Sequence, residues 1–158
     1  KYNMNDSSIT ILNVRQRGMN YPARFLAKTV VENPDTGKPY ECRDFYVGAQ
    51  LIIAGRLFEI LSAPEYTLSL MESRSDRFPM ADLTNAVDSL KGVVSKANLE
   101  AEFKAVDTRN SGVVPEAAAK QILGKYAPPL VEHLVITLMR RFLENGNFDY
   151  STLLHFLN

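Results

Sequence analysis

The sequence has little of several features that would assign it to a particular class of protein. It has no tryptophan and a single cysteine, Cys42, which excludes an internal disulfide and a zinc site built from cysteines. No apolar run approaches the roughly 18 residues that a membrane-spanning helix needs. The 18 basic and 18 acidic side chains cancel, so the chain lacks the basic stripe with which proteins neutralise nucleic-acid phosphates. These absences argue against a membrane-spanning protein and a nucleic-acid binder.

The composition is that of a folded protein. A hydrophobic content of 46% in 158 residues allows one globular domain or two small ones and is too high for intrinsic disorder. The single cysteine fits a reducing compartment. The chain opens on Lys1 without a signal or transit segment. Because Lys1 is not an initiator methionine, we expect residues upstream of it and interpret the chain as part of a longer protein.

The hydrophobic pattern changes after Pro64 and predicts an α+β protein. Before this point, short apolar stretches with a period of two predict an antiparallel sheet. The predicted strands are Ser8–Val14, Arg24–Val31, Arg43–Val47, Gln50–Ile53 and Arg56–Leu61. Ala54-Gly55 separates the last two strands and is short enough for a hairpin turn, because glycine supplies the positive φ that tight turns require.

After Pro64 the apolar residues recur at three-to-four spacing, which predicts helices. The first two helices carry Leu83, Val87, Leu90 and Val94, then Leu99, Phe103 and Val106. A third helix is predicted to open at Pro115, a fourth to follow Pro128-Pro129, and a fifth to begin near Asp149. We place the β domain at residues 1–73, a linker and connecting helix at 74–97, and a helical domain at 98–158.

The helical domain resembles a pair of EF-hands. An amphipathic helix ends at Asp107, Gly112 follows five residues later, and the aliphatic Val114 lies two residues beyond. Gly146 and Phe148 repeat the glycine and the apolar residue, and the two glycines are 34 positions apart. In an EF-hand pair the residues at these apolar positions pair across the two loops. The resemblance therefore implies that Val114 and Phe148 lie side by side in a short antiparallel pairing.

The calcium ligands of both loops have been lost. A calcium loop presents oxygens at positions 1, 3, 5, 7 and 9 and a bidentate glutamate at position 12. With Asp107 at position 1, Ser111 and Gly112 fill positions 5 and 6, but Arg109 stands at position 3 and Ala118 at position 12. The second loop has Arg141 at position 1, Leu143 at position 3 and Thr152 at position 12. We predict a metal-free pair, without a calcium site or any other cofactor, held together by burial.

The first half resembles a DM10 (DM-ten) domain, a module of the EF-hand-containing myoclonins and of the protofilament-ribbon proteins of cilia and flagella. The specific blocks are Asp44–Gly48 (Asp-Phe-Tyr-Val-Gly) and Gly55–Phe58 (Gly-Arg-Leu-Phe), in order and correctly spaced within residues 1–73. Ser7-Ser8 and Pro64 depart from the family pattern. The resemblance implies a pleckstrin-homology-like antiparallel fold. Since the family's first strands are missing, we expect an incomplete β domain with an unpaired or externally covered edge.

Residues typical of catalysis are scarce. We predict His133 on a helix surface or at an interface, His155 as a packing residue, and Cys42 as a buried or bystander thiol. The glycines fit turns, and none forms a phosphate-binding loop. We therefore predict no catalytic residue, no cofactor-binding residue and no enzyme activity.

The order of a DM10 domain followed by EF-hand-like helices resembles the C-terminal end of the myoclonin and ribbon-protein arrangement. This resemblance implies a structural microtubule inner protein that binds and stabilises the lumen of ciliary and flagellar doublet microtubules. Its expected location is the cytoskeleton, in the A-tubule of the axoneme. The expected partners are the tubulin lattice and other inner proteins, with neither nucleic acid nor membrane.

Two alternatives remain open at this point. One is a calcium-regulated EF-hand adaptor of the axoneme, for which the ligand positions above are the test. The other is a phosphoinositide-binding module, suggested by fold analogy alone. The nearest approach to the basic cluster that such a module needs is Arg15, Arg17, Arg24 and Lys28.

Overall fold

The computed structural model describes all residues from Lys1 to Asn158, and they form two compact units. The first unit comprises residues 1–45 and 49–60, and the second comprises residues 46–48 and 61–158. Antiparallel sheets build the first unit and six helices build most of the second. The α+β fold class predicted from the sequence is confirmed. None of the helices has the length and apolarity needed to cross a membrane.

The first unit contains seven short strands in three separate sheets. Strands β1, β2 and β3 form one antiparallel sheet in that order, while β4 pairs with β5 and β6 pairs with β7. Their bounds are Tyr2–Asn3, Ser8–Leu12, Arg24–Val30, Glu32–Asn33, Lys38–Pro39, Gln50–Ile53 and Arg56–Glu59. The sheets do not close into a barrel. Their common core is small and contains Ile9, Tyr40, Leu51 and Ile53.

The predicted hairpin at Ala54-Gly55 is confirmed. Ile53 lies opposite Arg56 in the β6–β7 register, and both turn residues have positive φ, 51° for Ala54 and 71° for Gly55. Positive φ at both central positions is the type I′ geometry that matches the twist of a two-residue hairpin. The sequence therefore defined this turn correctly.

The strand predicted at Arg43–Val47 is not formed. Residues Cys42–Asp44 instead make one turn of 3-10 helix. The Asp44 carboxylate accepts a hydrogen bond from the Glu41 backbone N–H at 2.7 Å. Aspartate competes in this way with strand pairing by offering the backbone a local partner, so the apolar pattern was misleading here.

The second unit contains six α-helices and a three-stranded sheet. Helices α1 to α6 span Glu65–Ser73, Leu83–Val93, Lys96–Val106, Glu116–Gly124, Glu132–Phe142 and Tyr150–Phe156. Strands β8, β9 and β10 span Val113–Pro115, Leu143–Glu144 and Asn147–Asp149, and β10 lies in the middle of their sheet. Side chains cap three helix N-termini, Asp82 for α2, Ser95 for α3 and Asp149 for α6.

Helix α1 was not predicted, and it lies within the segment assigned to the β domain. The Arg140 guanidinium of α5 binds the Glu65 carboxylate at 2.6 and 2.8 Å and also pairs with Glu72. Hydrogen bonds to these two carboxylates raise the pKa of Arg140. Because these ion pairs join residues about 70 positions apart, no local sequence pattern could indicate the contact between α1 and α5.

The segment predicted as a linker and connecting helix, residues 74–97, contributes to the main core. Ala86, Val87 and Leu90 of α2 belong to the same buried cluster as the EF-hand-like residues. The second compact unit therefore begins at Leu61 rather than at residue 98. The physical reason is that the apolar face of α2 is buried against α5 and the short 3-10 turn at Pro79–Ala81.

The core of the second unit gathers the apolar residues that the EF-hand reading predicts. All six of them lie in one buried cluster: Leu99, Phe103, Ile122, Leu138, Phe142 and Leu153. Phe103 lies at the centre, with its ring stacked on Tyr150 at a centroid distance of 5.0 Å and on Phe148 at 5.8 Å. The aromatic stack joins α3 to β10 and α6.

His133, predicted on a helix surface or at an interface, is buried, at 2% exposure, so the surface alternative was wrong. Its Nδ1 accepts a hydrogen bond of 2.9 Å from the buried Val47 N–H. An acceptor at Nδ1 requires the neutral imidazole, with the proton on Nε2. The side chain therefore satisfies a backbone donor 86 positions away in sequence, which explains why a polar residue lies in the core.

Replacing Phe103 by alanine should destabilise the second unit by about 3–5 kcal/mol, as for other buried phenylalanines. Urea unfolding followed by circular dichroism at the helix band reports on this unit, since every α-helix lies in it. Phe156→Ala is the matched control. Because Phe156 is partly exposed, this variant should lose less unfolding free energy than Phe103→Ala. Equal losses for the two variants would contradict the central position of Phe103.

Acidification should destabilise the second unit through His133. The pKa of His133 is lowered to about 4, chiefly by burial, while the Glu72 charge raises it and the Arg140 charge lowers it. The stability contributed by the neutral ring should be complete above about pH 6.5 and lost as the pH falls towards 4, by at most about 3 kcal/mol. Denaturant unfolding at several pH values in this window measures the loss.

The variant His133→Asn provides the control for this pH dependence. The asparagine side-chain oxygen can accept the Val47 N–H but does not titrate. The variant should therefore show a flatter dependence of unfolding free energy on pH between 6.5 and 4. If the slope of unfolding free energy against pH is the same in the variant as in wild type, groups other than His133 cause the pH dependence.

Candidate functional site

The two EF-hand-like loops meet in a short antiparallel sheet. Val114 of β8 lies directly opposite Phe148 of β10, and both side chains are fully buried. Two further backbone hydrogen bonds flank the pairing: Ser151 N–H donates to the Gly112 carbonyl at 3.2 Å, and Glu116 N–H donates to the Gly146 carbonyl at 3.1 Å. The pairing implied by the glycine and apolar repeat is thus present in the structure.

Asp107, at position 1 of the first loop, is buried and fully hydrogen-bonded. Its Oδ1 accepts the Ser111 N–H at 3.1 Å and the Ser111 hydroxyl at 3.0 Å. Its Oδ2 accepts the Gly112 N–H and the Tyr150 hydroxyl, both at 2.8 Å. Four donors therefore surround the carboxylate that an EF-hand directs at calcium.

The surroundings of Asp107 favour its charged form. Burial raises its pKa, but the Ser111 and Gly112 N–H groups and the Tyr150 and Ser111 hydroxyls together lower it to about 2. Burial and the hydrogen bond to Asp107 raise the pKa of Tyr150 to about 12. Tyr150 therefore stays a neutral donor and Asp107 an ionised acceptor across the physiological range.

The remaining positions of the first loop do not supply metal ligands. Arg109 at position 3 is exposed and cationic, and Ala118 at position 12 lies in α4 and has no side-chain oxygen. The Val113 carbonyl at position 7 lies 3.2 Å from the Ser111 hydroxyl oxygen, whose single proton it shares with Asp107. Gly112 has a φ of 79°, and a Cβ there would lie 3.1 Å from Ser151, so the turn requires glycine both for its backbone and for space.

The second loop is a β-hairpin followed by a helix. Asn145 and Gly146, with φ of 51° and 78°, form the two-residue turn between β9 and β10. Arg141 lies in α5 and Leu143 in β9, while Thr152 lies in α6 and donates both its N–H and its hydroxyl to Asp149. The backbone that would wrap around a cation in an EF-hand here makes strand pairs instead.

Calcium does not fit the residues present. The EF-hand resemblance implies calcium, but the only carboxylates at ligand positions of the two loops are Asp107, which is occupied by four donors, and Asp149, which caps α6. Nowhere in the chain do three or more histidine, cysteine, aspartate or glutamate side chains come together in a group that could hold a metal ion. The arrangement can hold two helix pairs together, and the Tyr150 hydroxyl donates to the carboxylate at position 1 of the first loop.

The hydrogen bond between Tyr150 and Asp107 was not predicted. Tyr150 lies at position 10 of the second loop, where the EF-hand pattern assigns no ligand, and its partner is 43 residues away. The sequence shows only that the first loop has an aspartate at position 1 without its companion ligands and that the second loop has a tyrosine at position 10. The contact between the two side chains follows only from the pairing of the two loops.

The other candidate residues are dispersed. Cys42 is a buried free thiol. His155 is exposed, and its Nδ1 lies 2.7 Å from the Ser151 carbonyl of its own helix, so the prediction of a packing role was wrong. The error arises because the last apolar turn of α6 directs Leu153, Leu154 and Leu157 inward and leaves position 155 on the outer face.

Replacing Tyr150 by phenylalanine should lower stability at neutral pH, because it removes a donor to the buried carboxylate. The stability that Asp107 contributes through its lowered pKa is present above about pH 4 and is lost as the pH falls towards 2. The difference between variant and wild type should therefore shrink over this window. Acid unfolding followed by circular dichroism measures it, with the exposed Tyr66 changed to phenylalanine as the control. A difference that stays constant down to pH 2 would contradict the assignment.

Comparison with known proteins supports the reading of both halves. Residues 1–67 match the DM10 domain family. The chain is 28% identical over 149 residues to EF-hand domain-containing family member C2 of Mus musculus, covering 88% of this chain and 20% of that protein. It is 28% identical over 151 residues to the protein of the same name from Bos taurus, and 24% identical over 147 residues to that of Danio rerio, covering 89% and 87% of this chain. The chain spans about a fifth of the length of these relatives.

The matches confirm the resemblance that the Asp44–Gly48 and Gly55–Phe58 blocks indicated. The similarity to these relatives also covers the helical half of the chain, where the loop pairing is found. Residues 1–67 are thus similar to the DM10 domain family, and the chain as a whole is similar to proteins named EF-hand domain-containing family member C2.

Proposed function

We propose that the chain is a non-catalytic structural element that binds and stabilises the lumen of ciliary and flagellar doublet microtubules. Its partners are the tubulin lattice and other microtubule inner proteins, and it is located in the A-tubule of the axoneme. The observation that carries the proposal is a DM10 domain joined to an EF-hand-like pair whose loops are closed by their own side chains. Such a pair is suited to constant binding.

The closed pair favours a scaffold over a calcium-regulated adaptor. A sensor EF-hand changes the angle between its helices when carboxylates gather around calcium. Here the Tyr150 hydroxyl and two backbone N–H groups occupy the Asp107 carboxylate before any metal arrives. Binding calcium would require breaking these bonds and would still leave position 12 without a glutamate.

The titratable groups also favour a non-catalytic protein. The Nδ1 atom of His133, which is the only basic ring nitrogen when the proton is on Nε2, accepts the Val47 N–H in the core. Cys42 is buried and belongs to the first unit, while both histidines belong to the second. The first unit contains no histidine that could act as the base beside Cys42, as covalent catalysis requires.

Co-assembly with tubulin tests this function. Because a luminal protein cannot enter a closed microtubule freely, purified chain should be added to tubulin before polymerisation and the polymer then sedimented. We expect the chain in the pellet, saturating at a fixed ratio to tubulin and resisting a salt wash. Tagged protein in ciliated cells should correspondingly stay with doublet microtubules after detergent and salt extraction. Complete recovery in the soluble fraction of both experiments would overturn the proposal.

Calorimetric titration of the chain with calcium tests the absence of regulation. We expect no binding in the sensor range, so a dissociation constant below about 10 µM would favour the adaptor instead. Arg109→Ala should leave both the titration and the stability unchanged, because the exposed side chain makes no ion pair. Sedimentation with tubulin should likewise be the same with calcium and with a chelator.

A further inference from the structure

The longest loop of the first unit, residues 13–23, joins β2 to β3 and is held in shape by its own hydrogen bonds. Its base is closed by the Asn13 N–H donating to the Ala23 carbonyl at 2.7 Å. Inside it, the Met19 N–H donates to the Gln16 carbonyl at 3.1 Å, and the Arg15 Nε donates to the Met19 carbonyl at 2.9 Å. The loop therefore presents a defined surface although it packs on little else.

Apolar side chains of this loop are held in solvent. Every residue from 12 to 21 is exposed, and Val14 and Tyr21 are exposed at 91% and 84%. Single exposed apolar residues are common on protein surfaces, but several on one loop mark an interaction site. Tyrosine and arginine are also the residue types that contribute most energy at protein interfaces.

The same region is the most basic part of a chain whose net charge is zero. No aspartate or glutamate occurs between Asp6 and Glu32, whereas four basic residues do: Arg15, Arg17, Arg24 and Lys28. Lys28 pairs with Asp6 at 2.6 Å, and the three arginines form no ion pair. Their charge is therefore available to an external partner.

We propose that the loop of residues 13–23, with Arg24, is the segment by which the first unit docks onto a carboxylate-bearing surface of tubulin. This inference rests on the proposed function and names its contact. Arginine binds carboxylates through two parallel hydrogen bonds, and Tyr21 and Val14 supply the apolar contact between such pairs. A membrane partner is disfavoured, because polybasic segments that bind anionic lipid gather four to eight lysines and arginines and this loop has three unpaired cations.

The experiment measures co-sedimentation of the full chain with tubulin polymerised in its presence, over a range of tubulin concentrations. The variants are the double change Arg15→Glu/Arg17→Glu and the single change Tyr21→Ala. Reversing two charges against an acidic surface, or removing an interface tyrosine, should each weaken binding by roughly tenfold or more. The charge-reversal variant should also show a smaller dependence of binding on salt concentration.

Matched control variants lie in the second unit. Arg77→Glu/Arg109→Glu makes the same change of charge at two exposed arginines without ion pairs, and Tyr66→Ala removes a tyrosine that is 79% exposed. Neither control should weaken binding. The altered side chains are exposed, and the one hydrogen bond lost, from Arg15 to the Met19 carbonyl, lies within the loop. Circular dichroism and thermal unfolding should therefore stay close to wild type, which separates lost binding from lost folding.

The outcomes distinguish this inference from the function on which it rests. Absence of wild-type binding overturns both. Wild-type binding that the loop variants retain, or that the control variants lose equally, overturns the loop alone. Vesicles of equal amounts of phosphatidylcholine and phosphatidylserine provide a last comparison, and loop-dependent binding to them without binding to tubulin would overturn the proposal in favour of a lipid surface.

Discussion

The antiparallel pairing of β8 with β10 is the contact on which the helical half of the protein depends. It places Phe148 beside Phe103 and brings Tyr150 within 2.8 Å of Asp107. Without it, the four-donor shell of Asp107 would be incomplete and the aromatic stack would lose two of its three rings. The pairing is short, so its stability comes from the burial and the polar contacts that it positions rather than from its few backbone hydrogen bonds.

This dependence explains how an EF-hand-like pair can persist after its calcium ligands are lost. In a calcium loop the bound cation offsets the mutual repulsion of several carboxylates. A loop that has only one such carboxylate has no repulsion to offset and can fold without the cation. Asp107 here serves as the acceptor that fixes the turn at Ser111 and Gly112 and joins α3 to α6 through Tyr150. A phenol suits this position, since it supplies one neutral donor on a flat apolar ring that stacks on Phe103.

The sequence was informative where structure follows from neighbouring residues. The type I′ turn at Ala54-Gly55 and the pairing of Val114 with Phe148 follow from glycine and from alternation, and both are local requirements of the backbone. The helices α2 to α6 could likewise be predicted from the three-to-four spacing of their apolar residues. The six core residues of the EF-hand pair could be named because family geometry fixes which faces meet.

The errors occurred where a distant partner determines the structure. Helix α1 has a weak pattern of its own and is joined by Arg140 to α5, while the buried His133 is explained only by the Val47 N–H. Asp44 ended a predicted strand by bonding backward to Glu41, a choice that depends on the competing strand partner as much as on the local residues. In each case a polar side chain has a specific partner that a hydrophobic pattern does not encode.

The two halves of the chain also differ in how their polar groups are used, and this bears on function. In the second unit the Asp107 carboxylate and the Arg140 guanidinium are paired internally, while Arg77 and Arg109 make no ion pair. In the first unit three arginines remain unpaired beside exposed apolar side chains on a braced loop. What distinguishes the first unit is that its unpaired arginines occur close together in the sequence, next to exposed apolar side chains of the same loop. Such a combination of charge and apolar surface suits contact with a partner.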